Sequence, residues 1–174
     1  METIRTNDLQ FDRENPRLAE YGVTARTNDQ EIVQILWDVM DVRELVQSIS
    51  ASGYFDYEPL IVAVERKKNV VIEGNRRLAA VRVLLDPSIV DSAGYAIPKL
   101  SRRDRDALEE LPVIFNSREE AWRFLGFKHV NGPAKWSSYA KARYIAEVHS
   151  VYHVPLVDIA EQIGDRHQTV QRLY

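Results

Sequence analysis

Residues 70–85 read VVIEGNRRLAAVRVLL, and this stretch predicts the strand, turn and helix around which the fold is arranged. The opening Val-Val-Ile run is β-branched, which favours a strand. From Leu78 onward the apolar residues recur at helical spacing. Gly74 stands between the two elements, where a residue without a Cβ lets the backbone turn sharply and approach a ligand closely.

Arg76 and Arg77 occupy the first turn of this predicted helix and make it a candidate phosphate site. The free amides and the positive dipole end at a helix start attract anions, and guanidinium groups are planar donors suited to phosphate oxygens. Positive side chains oppose the helix dipole at this end, so an anion would offset them. The alternative is a simple strand-to-helix turn that carries two exposed arginines.

The flanking sequence extends the unit into an α+β fold with a small mixed sheet and helices. Residues 60–64 and 69–73 predict a hairpin with a charged turn. Asn28 and Asp41 are placed as caps of two amphipathic helices. Further strands are predicted at residues 4–9 and 112–115, and a further helix at 118–127, which Ser117 and Glu120 begin with a capping box.

Beyond residue 131 the pattern becomes wholly helical, which predicts two domains, 1–130 and 131–174. A tight turn at Gly164 separates two apolar helical faces, as in a helix-turn-helix. In that motif the start of the second helix reaches base edges or phosphates. The candidate DNA-binding residues are Arg166, His167, Gln168, Thr169 and Arg172. A helical hairpin used for packing or dimer contact is the alternative, and a chain that stops at Tyr174 within this helix leads us to expect a longer protein.

Composition limits the classes of function. The 174 residues are 45% hydrophobic and contain no cysteine, which excludes a disulfide framework, a thiol nucleophile and a thiolate metal site. No apolar run of membrane-spanning length and no secretory signal pattern occurs in the sequence, so we expect a cytoplasmic protein without membrane contact. The formal net charge is −3, so any site for DNA must be a local basic surface.

The order of several motifs resembles the N-terminal domain of the ParB family. The motifs are Asn15-Pro16-Arg17, Pro59-Leu60-Ile61-Val62, Val71 to Ala80 and Leu111-Pro112-Val113. The resemblance covers about residues 3–130, and a helix-turn-helix domain over 134–174 would correspond to the DNA-binding domain that follows in the family. It implies that Gly74, Asn75, Arg76 and Arg77, with Arg17, surround the phosphates of CTP or another nucleotide, with or without Mg²⁺.

The chain departs from the family pattern at the end of the first domain. ParB proteins carry a Glu-Asn pair ahead of an arginine there, whereas this chain reads Phe127-Lys128-His129-Val130-Asn131-Gly132. Lys128, His129 and Asn131 are the candidates for phosphate contact in this stretch. The related sulfiredoxin fold uses a catalytic cysteine in its phosphate loop, and this chain has none.

Three functions are compatible with these residues. The first is a ParB-like DNA-binding protein in which a CTP-type nucleotide switches homodimer contacts on DNA. The second is a ParB-like nuclease or phosphotransferase in which Glu73 is the catalytic carboxylate; its alternative is an ion pair with Arg76 or Arg77, or a helix cap. The third is a partner-binding adaptor that keeps the fold without the nucleotide.

Two further patterns favour structural roles. His149 and His153 are four residues apart, but the sequence shows no third ligand for a metal site. Three tryptophans could stack on bases, although single tryptophans beside apolar helix faces are more often core residues. They are Trp37, Trp122 and Trp136.

Overall fold

The structure is a computed structural model that describes residues 2–131, 136–165 and 168–174. The strands in this part of the chain are β1 (Glu2–Arg5), β2 (Leu9–Phe11), β3 (Leu60–Glu65), β4 (Lys68–Glu73) and β5 (Glu110–Phe115). The α-helices are α1 (Pro16–Ala19), α2 (Asp29–Val39), α3 (Val42–Ser52), α4 (Asn75–Leu85), α5 (Arg102–Ala107), α6 (Arg118–Gly126), α7 (Ser138–Val151), α8 (Leu156–Gln162) and α9 (Thr169–Leu173). Two 3₁₀ turns, Thr6–Asp8 and Pro87–Ile89, and a π-helical turn, Phe127–Asn131, complete the elements. The predicted α+β class is therefore confirmed.

These elements form two compact units, each with its own core. We call residues 2–12 with Ala25–Asn116 the sheet unit, and Arg13–Thr24 with Ser117–Tyr174 the helical unit. The predicted boundary near residue 130 falls inside the helical unit. The division into functional domains 1–130 and 131–174 stays a prediction.

The sheet has five strands in the order β1-β5-β3-β4-β2. The pairs β1–β5 and β3–β4 are antiparallel, whereas β5–β3 and β4–β2 are parallel, so the sheet is mixed as predicted. The hairpin β3–β4 turns through Arg66 and Lys67, which both have positive φ, at 50° and 64°. Two left-handed residues give the turn the twist that a two-residue hairpin requires.

The strand predicted over residues 4–9 is two strands in the structure. β1 ends at Arg5 because the next residue, Thr6, is buried and donates its hydroxyl hydrogen to the Leu108 carbonyl at 2.6 Å. The chain then crosses from one edge of the sheet to the other and begins β2 at Leu9. The β-branched pattern of this segment gave no sign of the crossing.

Helix α4 is the central helix of the sheet unit. It packs against α2 and α3, and its apolar residues other than Leu85 are buried, as expected for a helix surrounded by other elements. It begins directly after β4 at Gly74. The predicted strand, turn and helix of residues 70–85 are thus confirmed.

Helix starts follow the predicted caps in two of three cases. Asn28 and Ser117 each accept a hydrogen bond from the backbone N–H three residues later, and the glutamate there bonds back, so α2 and α6 begin with complete capping boxes. Asp41 precedes α3 as predicted, but its φ is 52° and its side chain makes no capping hydrogen bond. Its position between two closely spaced helices requires a left-handed residue, which aspartate tolerates better than most residues.

Candidate functional sites

The start of α4 is built on Gly74. Its φ is 101°, and a Cβ added there would collide with Leu60 Cδ2 and come within 3.0 Å of Arg77 Nη2. Both the backbone conformation and the space therefore require glycine. Because Gly74 stands at the N-cap, no side chain accepts a capping hydrogen bond at this end of an 11-residue helix. A helix start without a capping side chain is compatible with the predicted anion site, which stays a prediction.

Asn75 is placed for structure rather than for ligand contact. Its side chain is buried; its Oδ1 accepts from the Asp12 backbone N–H at 3.0 Å, and its Nδ2 donates to the Val71 carbonyl at 2.7 Å. The amide therefore joins the residue after β2 to β4. The predicted contact between Asn75 and phosphate stays a prediction.

Arg77 is surrounded by acceptors of the sheet unit itself. Its guanidinium donates to the Tyr54 hydroxyl oxygen at 3.3 Å and to the backbone carbonyls of Glu58 and of Pro59, the latter at 3.4 Å. The carboxylates of Glu73 and Glu58 lie 3.7 and 3.8 Å from its nitrogens. Only 14% of the Arg77 side chain is exposed. These carboxylates provide the negative charge that the sequence reasoning assigned to a ligand.

Arg76 points toward the start of α3. Its Nη2 donates to the Asp41 carbonyl at 3.3 Å, and the residue is half-buried. Arg82, on the same helix, donates to the Leu9 carbonyl at 2.6 Å and forms an ion pair with Asp29 at 3.4 Å. Burial lowers the pKa of the Arg82 guanidinium, against the opposing charge of Asp29. The three arginines of α4 thus make different contacts, and Arg82 is structural.

Glu73 has the ion pair that was its structural alternative. Its side chain is 12% exposed and lies 3.7 Å from Arg77 Nη2, four residues along the chain. A carboxylate held in this way contributes to the position of Arg77. The catalytic role of Glu73 stays a prediction.

Tyr54 and Glu58 are site residues that the sequence reasoning missed. The Tyr54 hydroxyl donates to the Glu58 carbonyl at 3.0 Å, and burial raises the pKa of that hydroxyl although the charge of Arg77 acts in the opposite direction. Both residues lie in the segment between α3 and β3. The concentration of aromatic and acidic residues in SGYFDYEP, residues 52–59, is the signal that could have pointed to them.

The remaining predicted phosphate contacts lie in the helical unit. Arg17 is in α1, where its backbone N–H donates to the Asn15 side chain at 2.9 Å, and Lys128 Nζ lies over the Phe124 ring at 5.6 Å. His129 is buried and stacks on Trp136 with ring centroids 4.6 Å apart, so its imidazole belongs to the core. The side chain of Asn131 is outside the described part of the structure. Gly74, Asn75, Arg76 and Arg77 lie together in the other unit.

The predicted DNA-binding residues lie at and before α9. Gln168 and Arg172 are exposed, whereas Thr169 is 8% exposed and packs inward. Arg166 and His167 lie outside the described residues. Helices α7, α8 and α9 pack on one another, and the Asp165 carboxylate accepts from the Val170 N–H at 2.7 Å across the start of α9. The order of α8, the Gly164 turn and α9 is compatible with a helix-turn-helix, which stays a prediction.

Other candidate groups have structural partners. His149 Nδ1 lies 2.8 Å from the Val154 carbonyl. The three tryptophans are buried, as expected for core residues. In the described ranges no group of three or more His, Asp or Glu residues could hold a metal ion, and none of the helices described there is long and apolar enough to span a membrane.

The backbone can be compared with known proteins. No protein-family model matches the chain, and no curated protein does either. Among solved structures, the C-terminally truncated chromosome-partitioning protein ParB from Caulobacter crescentus, complexed to the centromeric parS site, is 14% identical with a TM-score of 0.48; the alignment covers 99% of this chain and 70% of that one. The same protein complexed with CTP-gamma-S is 16% identical with a TM-score of 0.40, over 99% and 75%. At these values the likeness is one of backbone course and transfers no function.

Proposed function

We propose that the chain is a ParB-like DNA-binding protein with a pocket for a CTP-type nucleotide at the start of α4. The observation that carries the proposal is the left-handed conformation of Gly74, which joins the end of β4 to the start of α4. No side chain caps the helix at this end. Backbone amides of a helix start and a nearby guanidinium are the usual protein groups that hold phosphate. The preference for CTP comes from the order of the sequence motifs, which resembles the ParB family.

The DNA-binding part of the proposal concerns α8, the Gly164 turn and α9. Gln168 and Arg172 are exposed at this end of the helical unit, so both can contact a phosphate or a base edge. Nucleotide binding in the sheet unit would change contacts between two copies of the chain. A ligand shifts such an equilibrium only by its difference in affinity for the two states.

The experiment is a calorimetric titration of CTP, ATP and GTP, with and without Mg²⁺, into the wild type and an Arg76→Gln variant. Arg103→Gln is the matched control, because it removes the same charge from the exposed helix α5. Selective CTP binding that is lost only in the Arg76 variant supports the proposal. If the wild type binds none of the three nucleotides at millimolar concentration, the proposal of a nucleotide pocket is wrong.

Dimerisation is measured separately. Light scattering with and without CTP gives the mass of the particle in solution, and a nucleotide-dependent increase from monomer to dimer is expected. A mass that is the same under both conditions contradicts the switch.

The enzyme alternative is tested in the same samples. Glu73→Gln should retain phosphate release, lowered only as far as the nucleotide affinity falls, if Glu73 serves as the partner of Arg77. A loss of turnover with retained nucleotide binding would instead assign the catalytic role to Glu73.

A further inference from the structure

The segment between α3 and β3, residues 53–59, carries an exposed aromatic pair. Phe55 and Tyr57 stack with ring centroids 5.1 Å apart and an interplanar angle of 20°, and they are 40% and 77% exposed. We call residues 53–59 the aromatic loop. A seven-residue loop with large exposed side chains needs anchors to hold one conformation, because each ordered residue costs about 1–2 kcal/mol of backbone entropy.

Arg77 is such an anchor. Three of its hydrogen bonds go to the aromatic loop: to the Tyr54 hydroxyl, the Glu58 carbonyl and the Pro59 carbonyl. Glu73, at the end of β4, lies on the same guanidinium at 3.7 Å. The three loop acceptors share the two hydrogens of Nη1, whereas Nη2 faces Glu73, and because the guanidinium is planar these contacts together fix the direction of the side chain.

These contacts limit what Arg77 can do for a ligand. An anion that bound the Arg77 guanidinium would have to displace loop carbonyls and compete with two carboxylates that are already within 4 Å. Turning the guanidinium away from the loop would leave the half-buried Tyr54 hydroxyl and Pro59 carbonyl without this donor, which is costly.

We propose that Arg77 is a positioning residue, which holds the aromatic loop against the start of α4 and is not itself a phosphate ligand. The inference rests on the proposed nucleotide pocket for its functional consequence. Its structural half, the fixing of the loop, holds whether or not a nucleotide binds. The two arginines of the motif therefore have different roles, and Arg77 holds the aromatic loop.

The first test is hydrogen–deuterium exchange of peptides that cover residues 53–59, without ligand, in wild type, Arg77→Lys and Arg77→Gln. Lysine keeps the charge but not the planar group of donors. Because each variant loses one to two hydrogen bonds, we expect the amide hydrogens of the loop to exchange roughly tenfold faster in both. Tyr54→Phe removes one acceptor of Arg77 and also the hydrogen bond from Tyr54 to the Glu58 carbonyl inside the loop, and it guards against a misfolded Arg77 variant. Unchanged loop exchange in Arg77→Gln and Tyr54→Phe overturns the proposal.

The second test is the affinity for CTP and for inorganic triphosphate at several salt concentrations. If Arg77 acts through the loop, the affinity for CTP falls in both Arg77→Lys and Arg77→Gln, while the dependence of that affinity on salt equals that of the wild type. A direct phosphate ligand would make the affinity less dependent on salt when its charge is removed in Arg77→Gln, because one attraction that salt screens is lost, and this result overturns the proposal. Failure of the wild type to bind either probe overturns the nucleotide pocket, while the exchange experiment still decides the role of Arg77.

Discussion

Single residues at the junction of β4 and α4 determine whether the sheet unit can fold. Gly74 provides a left-handed backbone, and Asn75 joins two segments that are far apart in the sequence. Both residues lie in the motif that suggested a ligand site, yet the structure gives them folding roles as well. A substitution in this motif therefore has to be assayed for stability before it is assayed for binding.

We expect Gly74→Ala to lower the free energy of unfolding by about 2–4 kcal/mol, because the Cβ meets Leu60 and the φ of 101° is strained for alanine. Urea denaturation measures the change. Gly94→Ala is the control: its φ is 84° but no atom lies within 4 Å of the added Cβ, so only the backbone penalty of about 1 kcal/mol remains. Equal effects at the two positions would contradict the predicted collision.

We expect Asn75→Ala to cost about 2–4 kcal/mol of unfolding free energy, since the Asp12 N–H and the Val71 carbonyl both lose a buried partner. Thermal denaturation followed by circular dichroism gives the measurement. A change below about 0.5 kcal/mol, typical of surface substitutions, would show that the side chain does not hold the two segments together.

Alkaline pH should destabilise the helical unit through Tyr144. Burial raises the pKa of the Tyr144 hydroxyl above its ordinary value of 10.0, and the hydroxyl donates to the Trp122 carbonyl. The folded protein then holds this proton more tightly than the unfolded chain, so the contribution to stability is complete below pH 10 and is lost as the pH rises above it. Tyr144→Phe should flatten this alkaline decline in denaturation experiments, whereas Tyr139→Phe, an exposed tyrosine of the same helix, should leave it as it is.

Helices and strands differ in how well the sequence predicted them. The starts of α2 and α6 were predicted from Asn28 and Ser117, because a capping box is a local interaction between residues three apart. The hairpin and α4 were predicted for the same reason: period and turn chemistry are local. The division of residues 4–9 into two edge strands depends on Leu108, a residue too distant for any local pattern to reveal.

The candidate site shows the same limit. Gly74 could be predicted from its place between strand and helix, but the partners of Arg77 come from residues 54–59. The inward direction of Thr169 and the stacking of His129 follow from packing within the helical unit, which periodicity over a short helix does not resolve. Residue type suggested a ligand contact in each case, and tertiary structure gave the side chain a different neighbour.

Close packing of α6 yields a prediction at the level of the helix. A Cβ at Gly126 would lie 2.7 Å from Ile163 Cγ2 and 3.3 Å from Tyr144 Cε1. Alanine gains about 1 kcal/mol of helix propensity over glycine, but overpacking costs typically about 1–3 kcal/mol. We expect the clash to prevail, with a net loss of roughly 1–2 kcal/mol and faster hydrogen exchange in α6 and α7. Glu119→Ala, on the exposed side of the same helix, is the control, and a stabilised Gly126→Ala would mean that Ile163 can move aside.

The charge of the whole chain bears on the proposed DNA contact. With a formal net charge of −3, long-range attraction to DNA is weak, and binding depends on a few local cations. The two predicted contacts that are exposed, Gln168 and Arg172, lie in a unit that also carries acidic residues on α8. Affinity should therefore be modest, with a dependence on salt that is set by the small number of phosphate contacts.

We expect Arg172→Gln to weaken DNA binding and to reduce the slope of log affinity against log salt by about one, since one phosphate contact is removed. Fluorescence anisotropy with a labelled duplex at several salt concentrations measures both quantities. Arg103→Gln on α5 keeps the same net charge as the variant and should behave as the wild type. Identical slopes for Arg172→Gln and the wild type would exclude a phosphate contact at α9.

The two edge strands of the sheet, β1 and β2, both come from the first eleven residues of the chain. β1 pairs with β5, so that Ile4 lies opposite Leu111, and most of the sheet unit must be synthesised before that pairing can form. Contacts between such distant residues raise the contact order and slow folding. During translation β1 would stay unpaired until β5 has left the ribosome, and until then this edge of the growing sheet is open to aggregation.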